Sequence, residues 1–376
     1  MENELEEVTE EIKRVEDEEI EEEKEEEEPE MDEEERKALE LNEHLEMMAS
    51  KPIPKKYGAK TTFQVGSDED HKEVFSAEFG VEDKYLAAAL SDSTLCIYNL
   101  INSKLAQSIS YVPSGIGEVA RGMSVKWLKN SILCAFSDGV INEYSCPIGK
   151  QLSTITEEGN QTFVLDVDPY NEKFCTGGKD YRVRVYDGET KDCLLKMIPV
   201  DSKEPGHAQR VFAMTYKKDD PNCVITGGWD KTLQIHDIRK GGPVGYIFGP
   251  DLSSNAIDIH DNTIVTGSYR GKNPLQVWDL RKKELLYNIE WDYSGEASES
   301  SYLNCASFTH NGDIIIAGGK GEEIKYFEID KDDDIPSYSL MGKQSGFNDS
   351  ILCCAFAKTS NNYVVGTADG MIKIFN

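Results

Sequence analysis

One pattern returns seven times between residues 70 and 376, and it constrains the fold more than any other feature of the chain. Each copy holds a short alternating strand, a turn, a second apolar strand ending in small residues, an Asp or Gly turn, and a third alternating strand. The fullest copy reads Val211 to Tyr216, then Cys223 to Asp230 with Gly227-Gly228-Trp229 before the Asp, then Thr232 to Asp237. The others centre on Ser91-Asp92, Ser137-Asp138, Gly177-Gly178, Gly267-Ser268, Gly318-Gly319 and Ala368-Asp369. Alternation with a period of two gives strands with one buried face. Small residues before the turn let neighbouring sheets pack closely, and Asp or Gly suits a tight hairpin connection. Residues 61–376 shared among seven copies give about 45 residues each, the length of one four-stranded sheet in a radial repeat. Strands at this density leave no room for βαβ units.

These residues resemble the WD-repeat family, whose repeat runs from a Gly-His pair to a Trp-Asp pair. Gly206-His207 and, thirty residues on, His236-Asp237 match that layout, with His in place of Trp. Trp278-Asp279 is a full Trp-Asp at a strand end; Tyr98-Asn99 and Tyr186-Asp187 are weaker versions, and the other Gly-His pairs are missing. The resemblance covers the chain from about residue 60 onward and rests on seven copies in register. It implies an all-β fold, a seven-bladed WD-repeat β-propeller over residues 61–376. The family closes its ring by letting an N-terminal strand complete the last blade, so Thr61–Val65 is expected to pair with the third strand of blade seven and remove an open edge. In this family the His of the Gly-His pair bonds the turn Asp. Carried over, His207, Asp230, Thr226 and the strand-end His236 form a buried structural network.

The formal charge is -30. Residues 1–48 hold 25 acidic and 5 basic side chains, so -20 of it belongs to this segment. Residues 1–50 form an acidic N-terminal arm, and residues 51–60, with Lys51-Pro52-Ile53-Pro54, a linker. In the arm, Leu5, Val8, Ile12 and Val15, and again Ala38, Leu41, Leu45 and Met48, repeat at three, four and three residues. The arm is therefore expected to be disordered or to form two short amphipathic helices around the acidic run at 21–28. Its charge argues against direct nucleic-acid binding, because phosphates would be repelled.

The nine cysteines are odd in number, contain no C-x-x-C pair and lie mostly in apolar runs. They read as small buried hydrophobes in a reducing compartment. No apolar run reaches a membrane span, and the first residues lack the basic start and apolar centre of a signal peptide. The expected location is the cytoplasm, or the nucleus.

No catalytic layout is present. Gly318-Gly319-Lys320-Gly321 is too short for a phosphate-binding loop, and no G-x-S-x-G or H-E-x-x-H occurs. The six histidines are scattered. Asp219-Asp220 and Asp332-Asp333-Asp334 lack a Gly-turned calcium loop and read as solvated turns. No enzyme activity, cofactor, metal or small-molecule substrate is expected.

The resemblance implies protein binding on the rim of the central channel. Two positions per blade reach it: the residue before the turn Asp, and the residues that begin the innermost strand. They give Lys179, Trp229 and Tyr269 from the turns, and Arg121, Phe163, Arg210, Phe212, Asn255, Tyr302 and Asn304 from the inner-strand starts. Trp, Tyr and Arg often carry interface energy. The expected function is a scaffold or adaptor that binds protein partners within a multi-protein complex. The stretch from Gly249-Pro250 through Ala256-Ile257-Asp258-Ile259 to Thr266-Gly267-Ser268-Tyr269-Arg270 resembles WD-repeat proteins of ciliated protists and algae, which suggests a cytoskeletal or ciliary assembly. The alternatives are a nuclear histone-binding adaptor, motivated by the acidic arm, and a ubiquitin-ligase substrate receptor, for which no adaptor-binding element is recognisable.

Overall fold

The second strand of each copy is apolar on both faces, and its burial explains why. Tyr85–Leu90, Ser131–Phe136 and Ile314–Gly319 are buried along nearly their whole length. A strand covered on both sides reads as a continuous apolar run rather than an alternation. The fourth strands behave oppositely: Lys104–Ser110 and Ser337–Gln344 alternate between exposed and half-buried positions. This gradient from covered to wet orders each sheet.

The computed structural model describes residues 36–37, 59–67, 70–113, 119–198, 206–291, 302–330 and 336–376. The chain divides into a unit over Met1–Glu40 and another over Leu41–Asn376. The second holds seven four-stranded antiparallel sheets, the blades of a β-propeller. Their innermost strands are Val74–Phe79, Gly122–Leu128, Thr162–Val167, Val211–Lys217, Ile257–His260, Leu303–Phe308 and Ile351–Phe356. Blade four continues outward through Asp220–Gly228, Thr232–Asp237 and Gly242–Phe248. The other blades follow the same order.

Blade seven takes its outermost strand from far away in the sequence. Ala59–Gln64 pairs antiparallel with Met371–Phe375, with Thr61 opposite Ile374 and Phe63 opposite Ile372. The amide of Val65 extends the attachment by donating to the carbonyl of Gly370 at 2.9 Å. The strand starts inside the segment expected as linker, because Ala59 already faces Phe375 across a register shift. Apart from residues 36–37, the acidic arm and residues 51–58 lie outside the described residues.

The core lies between blades. Ala213, Ile225 and Leu233 of blade four pack with Ile257, Ile259, Ile264 and Trp278 of blade five. Val164, Cys175 and Val185 of blade three pack likewise with Val211, Met214 and Val224 of blade four. Each fully buried side chain of this kind contributes about 1.5–3 kcal/mol. All nine cysteines are free. Cys193 departs from the expectation of burial: it sits on the outermost strand of blade three, Cys193–Met197, and is exposed.

Candidate functional site

One backbone hydrogen bond per blade joins the turn to the approach of the innermost strand; of the expected rim residues Lys179, Trp229 and Tyr269 are donors and Arg121, Arg210 and Tyr302 acceptors, while Phe163, Phe212, Asn255 and Asn304 take no part. In every blade the amide of the residue that opens the second turn donates to the carbonyl of a residue that precedes the innermost strand. The bonds run from Ser91 to Glu73 (3.0 Å), Ser137 to Arg121 (2.9 Å), Lys179 to Gln161 (2.9 Å) and Trp229 to Arg210 (3.1 Å). They continue from Tyr269 to Asp251 (2.7 Å), Lys320 to Tyr302 (3.0 Å) and Ala368 to Ser350 (2.9 Å). In blades three, four and six the residue before the tethered turn is Gly178, Gly228 or Gly319, and there the two backbones lie too close for a Cβ; Leu90, Phe136, Ser268 and Thr367 hold the same place in the other blades. A Cβ on Gly228 would lie 2.0 Å from the carbonyl oxygen of Arg210, and one on Gly319 would lie 1.9 Å from that of Tyr302. Only glycine admits so close a backbone.

The tether sets side chains of the two classes next to each other. In blade four the Arg210 guanidinium lies 4.9 Å from the centre of the Trp229 ring. Blade six inverts the pairing: the Lys320 ammonium lies 5.7 Å from the Tyr302 ring centre. Arg210–Trp229 joins a longer aromatic row, in which Phe212 lies 5.1 Å from Trp229 and stacks on Phe163 of blade three at 4.6 Å. Trp229 is 39% exposed, and its indole N–H donates to Ser253 Oγ at 3.0 Å, which fixes the ring. Tyr269 is 50% exposed and stacks on Tyr302 at 4.1 Å. Two platforms result, one on blades three and four and one on blades five and six.

The remaining candidates lie outside these platforms. Lys179 and Arg121 are exposed, and the backbone N–H of Arg121 donates to Ser137 Oγ at 2.9 Å. Asn255 accepts from the amide of Met214 at 3.0 Å, and Asn304 donates to the carbonyl of Ile351 at 2.8 Å, so both amides stitch neighbouring inner strands. Lys320, Asp251 and Ser253 were not among the expected rim residues. Blade six has Gly321 where a turn Asp would mark the position, and this hides Lys320. Its signal is the Gly318-Gly319 pair that also precedes it in the pattern of Gly177-Gly178-Lys179.

Phe163, Phe212, Asn255 and Asn304 also line one mouth of a central cavity of about 480 Å³, bounded by the inner strands of all seven blades. The far ends of the same strands carry a belt of opposite charges. Lys126 lies 3.2 Å from Glu78 and 3.3 Å from Asp166, Lys358 reaches Glu78 at 2.5 Å, and Lys218 faces Asp258 at 3.8 Å. Burial alone would push the Glu78 carboxyl up, but Lys126 and Lys358 outweigh it and hold it below the usual carboxylate range. The belt ties blade to blade across the channel.

Beneath the aromatic rim of blade four runs a buried polar chain. His207 Nδ1 donates to Asp230 at 2.8 Å, and His207 Nε2 meets the Thr226 hydroxyl at 2.7 Å. Thr226 Oγ1 in turn meets His236 Nε2 at 2.9 Å. The proton order follows from the carboxylate end. Burial raises Asp230, yet its bonds to His207, Ala208 and Thr232 lower it further, so it is ionised and only accepts. With both rings as neutral tautomers, Thr226 donates to His207 Nε2 and accepts from His236 Nε2–H. The Nδ1 atom of His236 is left buried with no partner. Burial and the neighbouring His207 push the His236 imidazole down to about 3. Neighbouring blades solve the same problem differently. In blade five the Trp278 indole N–H donates to Thr266 at 2.9 Å. In blade three the Tyr186 hydroxyl donates to Glu157 at 2.8 Å, with Asn160 and Thr162 donating to the same carboxylate.

Apart from His236 Nδ1, each group in this chain bonds another, so the chain orients the turn that presents Trp229. Among the described residues, no cluster of three or more His, Cys, Asp or Glu side chains could hold a metal ion.

Comparison with known proteins agrees with this architecture. The model of the WD domain, G-beta repeat, matches residues 200–237 and 338–376. The chain is 23% identical over 173 residues to autophagy-related protein 16 of Arabidopsis thaliana, covering 46% of this chain and 32% of that protein. It is 22% identical over 245 residues to the serine-threonine kinase receptor-associated protein of Dictyostelium discoideum, covering 65% and 75%. It is 26% identical over 246 residues to the mitotic checkpoint protein bub-3 of Caenorhabditis elegans, covering 61% and 62%. The chain thus spans about a third of the first of these relatives and less than two thirds of the third. The seven four-stranded blades and the matched repeats support placing the chain in the WD-repeat β-propeller family.

Proposed function

We propose that this protein is a non-enzymatic scaffold that holds protein partners on the aromatic rim of its propeller. The observation that carries this reading is the Phe163–Phe212–Trp229 row with Arg210 over its exposed end. A surface Trp that is fixed by a hydrogen bond and still more than a third exposed offers contact area at little conformational cost. Exposed aromatics of this kind have no role in the core of the blade that bears them. A cytoskeletal or ciliary assembly is part of the same proposal and rests on the resemblance of the stretch from Gly249 to Arg270. Cytoplasmic residence accords with nine free thiols.

The test is proximity labelling with the intact protein beside a Trp229→Ala/Tyr269→Ala version. Both substitutions remove side chains from the surface, so the fold is expected to persist, which circular dichroism and the melting temperature check. The neighbour set should lose its most strongly labelled members. An unchanged set from a folded variant would remove the rim as the docking face.

A further inference from the structure

The rim differs in charge from the chain that builds it. The aspartates at its turns are already committed to internal partners. Asp92 pairs with Lys72 at 2.8 Å, Asp138 accepts from Tyr111 at 2.7 Å, and Asp180 binds Arg184. Asp230 belongs to the His207 chain, and Asp251 faces Lys231 at 3.6 Å. The cations are not committed. Arg121, Lys179, Arg182, Arg210, Lys272 and Lys320 make no ion pair among the described residues. Two of them, Arg210 and Lys320, are held over the aromatic platforms. Against these six stand the exposed acids Glu158, Glu322 and Asp349 and the half-buried Glu73 and Asp369, of which only Glu158 and Glu322 flank blades three to six. On blades three to six, which carry both aromatic platforms, a chain of formal charge -30 thus presents five of these unpaired cations, Lys179, Arg182, Arg210, Lys272 and Lys320, against two exposed acids, whereas the acids Glu73, Asp138, Asp349 and Asp369 gather on blades one, two and seven.

We propose that the rim takes an acidic linear peptide, with carboxylate side chains on either side of an apolar or aromatic anchor. This rests on the reading of the rim as the protein-binding face. The anchor packs against the open side of Phe212 and Trp229, where the Ser253 bond has already paid the cost of fixing the indole. Carboxylates N- and C-terminal to it meet Arg210 and Lys179 on one side and Lys320 on the other. Charge-assisted bonds to Arg are short and directional, so Arg210 sets the register and the exposed lysines set the attraction. A basic peptide would meet the same cations as repulsion, which disfavours a histone tail at this mouth.

Fluorescence anisotropy with the full chain tests it. One probe is a labelled twelve-residue peptide with glutamates around a central Leu-Phe pair. Its companions carry Gln or Lys in place of every Glu, and the fourth probe is a single-stranded oligonucleotide of twelve thymidines. The Glu peptide should bind at least about tenfold tighter than the Gln peptide at low salt, and weaken about tenfold between about 50 and 300 mM salt. Arg210→Gln/Lys179→Gln should abolish the preference for Glu over Gln. Trp229→Ala should weaken both peptides while keeping that preference. Equal binding of the Glu and Gln peptides overturns the acidic inference, and the rim itself survives if Trp229→Ala still weakens both. If Trp229→Ala weakens neither peptide, the rim reading fails as well. An oligonucleotide that binds as tightly as the Glu peptide, or a Glu peptide that does not bind, also overturns the proposal.

Discussion

His236 offers a test of the buried chain that is independent of any partner. Its imidazole stands where blade five has the indole of Trp278, and both present an N–H to a threonine hydroxyl at 2.9 Å. The difference is the second ring nitrogen, which His236 buries without a partner. Burial first, and the adjacent His207 second, lower the imidazole from 6.5 to about 3. The sign follows directly. The unfolded chain takes up a proton at His236 as pH drops through 6.5, and the folded chain refuses it until about pH 3, so stability falls as pH falls across that window. Between pH 8 and pH 5 the loss is about 2 kcal/mol. Substituting His236→Trp removes the titrating group and keeps the N–H. The larger ring carries a packing cost of about 1–3 kcal/mol at any pH, so the difference between the two pH values is the quantity to read. Urea unfolding at pH 8 and pH 5, followed by far-ultraviolet circular dichroism, gives that difference for both proteins. His310 is also lowered, by burial and by Lys218 and Lys358, but it contributes equally to both and cancels. The variant should lose about 2 kcal/mol less than the parent on acidification. Equal losses would refute the assignment of a neutral, half-satisfied His236. A His236 ring signal that titrates above pH 5 in the folded parent's NMR spectrum would refute it too.

Gly228→Ala drives a Cβ into the Arg210 carbonyl; it should cost about 2 kcal/mol and, in a propeller of this size, lower the melting temperature by about 3 °C. Gly271→Ala, with no atom within 4 Å of the added Cβ, should leave the temperature unchanged. Lys126→Met leaves Glu78 and Asp166 facing the channel with one cation fewer and should cost about 2 kcal/mol in urea unfolding. Glu78 should then titrate nearer the usual carboxylate range, so acidification through that range costs the variant less stability than it costs the parent. Alkylation read by peptide mass spectrometry should modify Cys193 first. Cys134 and Cys175, whose thiols burial pushes up, should react only on unfolding.

The seven copies are legible because the second strand of each blade is buried on both faces. Runs such as Ile314-Ile315-Ile316-Ala317 therefore stand out between alternating neighbours. The His207 chain is hinted at by Gly206-His207 and the strand-end His236, although the proton order along it needs the coordinates. The rim pairing is invisible in the sequence, since the bond that joins Trp229 to Arg210 uses backbone atoms that every residue has. Lys320 escapes notice because its turn has glycine in place of Asp. The charge belt escapes for another reason. Glu78, Lys126 and Asp166 alternate with apolar residues along their strands, and in so acidic a chain such charges read as solvent-facing, yet they point into the channel and neutralise one another.

The strand Ala59–Gln64 has its partner 316 residues later, with Ala59 opposite Phe375. On a ribosome adding roughly 5–20 residues per second, this strand emerges about 15–60 s before the strand it must pair with. Throughout that interval blade one has no closed neighbour on one side, and Phe63 and Val65, later buried, face water or a chaperone. Native pairing over so long a separation also slows folding after release. Substitutions at Phe63 should therefore show first as a lower yield of folded protein on expression.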